Sequence, residues 1–170
     1  MIKNTSPHPL HYRFPLFVMH SQIYMKVFLQ YYYLKNKNLT RLTNHYSIDT
    51  ESSWSSKGSK ILFTSGRSGS PQLYEINLRK FNSKPKRITF EGDYNAKGSY
   101  LPNNEGIVFV HRSNGNFIIA LKYFDENFIR PLTESKLDES PSISPNGNVI
   151  IYAITAVSYT HLTLPTKRIV

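Results

Sequence analysis

Cysteine is absent, so the chain has no disulfide, no thiolate metal ligand and no cysteine nucleophile. Acidic residues are missing from both flanks. All eleven carboxylates fall between Asp49 and Glu139, so residues 41–139, with fourteen Lys and Arg, carry only +3 of the formal +10. That distribution argues against a basic groove interleaved with aromatics, and no nucleic acid is expected as a partner. A long apolar run is lacking too. Residues 14–34 are rich in Phe, Tyr, Leu, Ile, Val and Met, but His20, Ser21, Gln22, Lys26 and Gln30 interrupt them, which argues against a spanning helix. Pro7, His8, Pro9 and His11 fall where a signal peptide needs a clean apolar stretch. There is no G-x-S-x-G elbow, no H-E-x-x-H pair and no phosphate-cradling glycine loop, and no two histidines inside the repeats have zinc-pair spacing. Asp93-Tyr94-Asn95-Ala96-Lys97-Gly98 faintly echoes a calcium loop, but a lysine stands in a ligand slot and no glutamate closes it. No catalytic residue, cofactor or metal is therefore expected.

What is present is a repeat. The stretch Trp54-Ser55-Ser56-Lys57-Gly58-Ser59-Lys60-Ile61-Leu62-Phe63 returns 46 residues later as Tyr100 to Phe109 and, after a further 43, as Ile143 to Tyr152. Each copy opens on a large apolar residue and closes on a core-forming triplet, with a polar turn whose fifth column reads Gly58, Asn104, Gly147. Those residue types tolerate a left-handed backbone, so each copy is a hairpin. Trp54 is expected to be a buried blade-packing residue, costing about 3–5 kcal/mol on truncation to alanine. Five residues before the apolar column stand Asp49, Asn95 and Asp138, and further upstream Thr43, Thr89 and Thr133 each follow an aliphatic residue. A period of 40–50 residues with strand-like content is the signature of propeller blades.

Other strands are expected over residues 27–34, 39–42, 72–77, 86–89, 117–123 and 129–133, separated by turn-rich segments such as 65–71 and 113–116. The fold class is all-β, a partial β-propeller of about two and a half WD40-like blades of four-stranded antiparallel sheet over residues 27–155. Closed propellers have about four to eight blades, so a fragment is expected. Residues 1–26 match no column and are left unassigned. Residues 156–170, without an acidic residue or a matching column, read as a foreign tail.

Arg41-Leu42-Thr43-Asn44-His45-Tyr46-Ser47-Ile48-Asp49-Thr50, Phe63-Thr64-Ser65-Gly66-Arg67-Ser68-Gly69-Ser70-Pro71-Gln72-Leu73-Tyr74, Arg87-Ile88-Thr89-Phe90-Glu91-Gly92 and Leu137-Asp138-Glu139-Ser140-Pro141-Ser142-Ile143-Ser144-Pro145-Asn146-Gly147 resemble the TolB family, the propeller proteins of the bacterial Tol-Pal envelope system. The resemblance covers about three quarters of the chain. It implies a periplasmic, non-enzymatic adaptor with an N-terminal α/β domain and a six-bladed propeller, binding the lipoprotein Pal over the channel mouth. Such an adaptor works with other Tol proteins, lies peripheral to the outer membrane through Pal, helps keep that membrane attached during cell division and is exploited by bacteriocins. The family's N-terminal domain, export signal and final blades have no counterpart in the residues given. A second reading is the substrate-gating propeller of a prolyl-oligopeptidase-type serine peptidase, which a hydrolase domain would have to follow.

The loop leading into each blade's innermost strand puts side chains around the channel rim. Asp49-Thr50-Glu51, Tyr94-Asn95-Ala96 and Asp138-Glu139-Ser140 occupy that loop. His45, Asp49, Thr50, Glu51, Tyr94, Asn95, Asp138 and Glu139 are thus the candidate partner-binding residues, offering hydrogen-bond acceptors to a protein partner. Against this stands the plainer possibility that Asp and Asn close Asx-turns before a strand.

Overall fold

A computed structural model describes residues 26–155. The expectations for 1–25 and for the tail from 156 lie outside the described residues. Among the described residues twelve strands fall into four antiparallel sheets. The first is the hairpin β1 (Gln30–Tyr33) and β2 (Asn38–Arg41). The second contains β3 (Asp49–Trp54), β4 (Lys60–Ser65), β5 (Gln72–Asn77) and β6 (Lys86–Arg87), in that order. The third repeats it with β7 (Asn95–Tyr100), β8 (Gly106–Ser113), β9 (Asn116–Tyr123) and β10 (Arg130–Pro131). The last is the pair β11 (Asp138–Ile143) and β12 (Ile150–Ile154).

The repeat columns have structural meaning. Gly58, Asn104 and Gly147 sit in the first hairpin turns at φ of 60°, 60° and 77°, the left-handed region that the glycine-for-asparagine exchange implies. Trp54, Tyr100 and Ile143 face Ile61, Ile107 and Ile150 in identical register. The aliphatic-threonine pairs are latches. The hydroxyls of Thr43, Thr89 and Thr133 accept the backbone N–H of Leu29, Leu73 and Ile119 at 3.0, 3.0 and 2.9 Å. The N–H groups of Leu42, Ile88 and Leu132 donate to the carbonyls of those same three residues at 2.8 Å. Each latch ties the segment after a fourth strand to the third strand, extending a ladder only two residues long in β6 and β10.

The cores lie between sheets. Alternate residues of one strand face opposite neighbours, so the unbroken triplets Ile61-Leu62-Phe63 and Ile107-Val108-Phe109 are buried on both sides. Ile61, Phe63, Tyr74 and Ile76 pack toward Leu29 and Leu42. Leu62 and Leu73 pack with Tyr100, Ile107 and Phe109 of the following sheet. Val108, Val110 and Ile119 pack toward Ile143 and Ile150. Gly98 lets two sheets approach closely, since a Cβ there would stand 2.6 Å from a Leu62 methyl and 2.9 Å from a Leu73 methyl.

Trp54 does not match the expectation, being 55% exposed. Its counterpart Tyr100 is buried against the preceding sheet and donates its hydroxyl to Glu75 at 2.8 Å. Trp54 instead lines an open pocket with Leu29, Gln30, Tyr31 and Tyr32, facing a sheet of only two described strands. Burial of this column depends on the neighbouring sheet and not on the residue alone.

Candidate partner-binding rim

The innermost strands β3, β7 and β11 share an irregularity. Their pairing with the second strand slips between Thr50 and Ser53, Ala96 and Ser99, and Glu139 and Ser142. At each slip one non-glycine residue is left-handed: Glu51 at φ 52°, Lys97 at 54° and Ser140 at 54°. A side chain in that conformation costs about 1–2 kcal/mol, and bulges re-aim side chains at sheet edges and sites. The sequence repeat carries no mark of it, because the three residues have nothing in common chemically.

Asp49, Asn95 and Asp138 are fully buried beneath these bulges. None of them presents its side chain to solvent: Asp49 is held within its own sheet, Asn95 partly by the preceding sheet, and Asp138 by the segment before its strand. Asp49 accepts the Ser65 hydroxyl at 2.6 Å and two 2.8 Å bonds from Arg67, whose guanidinium lies over Tyr74. Asn95 donates through Nδ2 to Gln72 Oε1 and the Glu91 carbonyl at 2.9 and 2.8 Å. With Nδ2 so engaged, its Oδ1 accepts a hydrogen bond from His111 Nδ1–H, 2.8 Å away. Burial depresses the His111 pKa, with Glu91 and Asp93 opposing the shift, so the imidazole is neutral in this role. Gly92, at φ 72°, leaves room for that ring, because a Cβ there would stand 2.7 Å from His111 Cε1. Asp138 accepts short hydrogen bonds from Thr133 and Ser135 on Oδ2, while Oδ1 is buried without a partner. The residue opposite it is Ile154, where Asp49 meets Ser65 and Asn95 meets His111. The Asp49 bonds and the Asn95 bonds to Gln72 and His111 reach across strands, which distinguishes them from Asx-turns, whereas Asp138 is held by residues of the segment just before it.

The outward-facing members are Glu51 and Glu139, which are exposed, with Thr50 and Tyr94 half-buried. Lys97, which sequence reasoning passed over, joins them. Its Nζ donates to Glu139 at 3.0 Å and its backbone N–H to the Thr64 hydroxyl of the preceding sheet at 3.1 Å. Thr64 in turn donates to Glu51 at 2.8 Å. A line Glu51, Thr64, Lys97, Glu139 thus crosses three sheets. The Glu139 hydrogen bond raises the Lys97 pKa, with a smaller opposing effect of burial. Burial, Glu51 and Glu139 raise the Tyr94 pKa, and Lys97 opposes them. Tyr94 packs edge-on against Phe117 at 5.0 Å and walls a small recess with Lys97, Leu137 and Glu139. His45 stands apart in the loop before β3, stacked on Tyr46 and accepting the Ser47 N–H at 3.1 Å. Among the described residues no group of three or more His, Asp or Glu is placed to hold a metal, and no helix is long and apolar enough to cross a membrane.

Known proteins carry the same blades. The Tol-Pal system protein TolB of Nitrosospira multiformis is 47% identical over 68 residues, covering 40% of this chain and 16% of that protein. TolB of Helicobacter hepaticus is 30% identical over 132 residues, covering 73% and 30%. The crystal structure of TolB from Acinetobacter baumannii superposes with a TM-score of 0.69 at 37% identity, over 76% of this chain and 32% of the other. The chain thus spans less than a third of the length of these relatives. Residues 19–166 match the TolB beta propeller domain. The chain therefore belongs to the TolB beta propeller family.

Proposed function

We propose that the chain is a non-enzymatic docking segment of the Tol-Pal envelope system, and that Thr50, Glu51, Tyr94, Lys97 and Glu139 form part of the face that meets a protein partner. Family resemblance makes that partner Pal, the compartment the periplasm and the role maintenance of the outer membrane during cell division. One observation carries the reading: three inner strands each hold a strained left-handed residue at the same bulge, and together these bulges align opposite charges across successive blades. Backbone strain recurring at one place in a repeat marks a site more than a stability device. Asp49, Asn95 and Asp138 support that face from below.

The test is titration of purified Pal into the 170-residue chain. Glu139→Lys is expected to weaken binding about tenfold, and Lys97→Glu added to it to recover part of the loss, as for charges at an interface rim. Unchanged affinity in both variants, with melting temperatures intact, removes these residues from the interface.

A further inference from the structure

Strands in each sheet alternate in direction, so connections fall at two ends. The loops leading into β3, β7 and β11 lie at one end with the β4–β5 connection, as the Gly66 N–H to Ile48 carbonyl bond at 3.2 Å shows. The β3–β4 turn and the β5–β6 connection lie at the other, joined by the Leu78 N–H to Ser59 carbonyl bond at 2.9 Å. Whatever occupies the rim leaves this second end free.

The β5–β6 connection is unusual there. Arg79, Lys80, Lys84, Lys86 and Arg87 fall within nine residues, and no Asp or Glu occurs between Glu75 and Glu91. Arg79, Lys80, Lys84 and Lys86 are exposed, and the ion pairs among the described residues involve other cations. At the apex stands Phe81, 94% exposed. The loop is built to hold it out. The Arg79 N–H donates to Asn77 Oδ1 at 2.9 Å, the Asn77 N–H to the Ser83 hydroxyl at 3.2 Å and the Ser83 N–H to the Lys80 carbonyl at 3.2 Å. Asn82 takes the left-handed conformation at φ 52°. The matching hairpin of the preceding sheet, between β1 and β2, repeats the character on a smaller scale, with Leu34 85% exposed beside Lys35 and Lys37. The following one, between β9 and β10, carries Asp125 and Glu126, so the fold itself does not require a basic loop.

We propose that the β5–β6 loop, with the β1–β2 hairpin beside it, docks on a lipid surface bearing anionic headgroups: the lysines and arginines meet headgroup charge and Phe81 enters the interfacial layer. Charge complementarity selects an anionic partner. An exposed phenyl ring at the apex, with a second apolar tip on the preceding blade, selects a lipid interface over a purely ionic polymer, which gives such rings nothing to enter. The rim would then face away from the membrane, toward its protein partner.

The test is co-flotation of the full chain with phosphatidylcholine vesicles containing or lacking phosphatidylglycerol. Binding is expected only with phosphatidylglycerol and is released by salt. Lys80→Ser/Lys84→Ser is expected to weaken it about 25-fold, at roughly fivefold per charge, and Phe81→Ser to weaken it while leaving the salt dependence in place. The charge-matched control Arg112→Ser/Lys136→Ser, away from this end, retains binding. Equal binding to both vesicles, or an equal loss in the control, overturns the proposal. So does indifference to Phe81→Ser combined with full displacement by polyglutamate, which assigns the loop to an acidic polypeptide. Each substituted residue is exposed, and a thermal melt verifies folding.

Discussion

His111 carries the clearest pH dependence. Its pKa lies below 6.5 because burial disfavours the imidazolium, so in the window beneath 6.5 the unfolded chain binds more protons than the folded one. Stability is full above that window and falls as pH drops through it. Melting temperature is expected to decline between about pH 7 and pH 5, and His111→Gln, which keeps a donor for Asn95, is expected to flatten the decline. An unchanged slope in that variant would place the sensitivity elsewhere. The sequence showed an Asp/Asn/Asp column and assigned it to a rim, and the structure buries all three side chains. It did not show that Asp49 and Asn95 point inward, because their partners Ser65, Arg67, Gln72 and His111 stand 16 to 23 residues away.

At the scale of elements, the bulge is the feature that positions the rim. Ser140 is the simplest place to probe it, since it is exposed, lies at φ 54° and has only a 3.5 Å contact from Lys97 Nζ on its hydroxyl. Ser140→Gly is expected to change stability by less than about 1 kcal/mol and in the favourable direction, because glycine accepts the left-handed backbone without a steric cost. A destabilisation of more than about 1 kcal/mol, read from chemical denaturation, would mean that φ at this position is not left-handed in solution. The hairpins were legible because turn glycines and apolar triplets obey local rules. The bulges were not, because Glu51, Lys97 and Ser140 adopt a conformation their side chains do not favour, held there by pairing on either side.

For the whole molecule, protection should follow the layering. β4, β5 and β8 lie between neighbours on both sides and hold the most buried residues, whereas β2 is exposed throughout and β12 nearly so. Amide exchange is expected to be slowest in β4, β5 and β8 and fastest in β1–β2 and β12; uniform protection would contradict a stack of unequal sheets. The sequence alone determined the period, the strand order and the turns, because these rest on alternation and on glycine or asparagine at fixed columns, all short-range properties. It also carried the family resemblance through those columns. Only the tertiary structure decided which column members are buried: Tyr100 and Trp54 share one register, yet one is covered and the other is not. Tertiary structure likewise decided that Lys97 joins the rim and that Phe81 is held outward. Burial and charge pairing are set by residues from neighbouring sheets, far away in the chain, and no local pattern encodes their arrival.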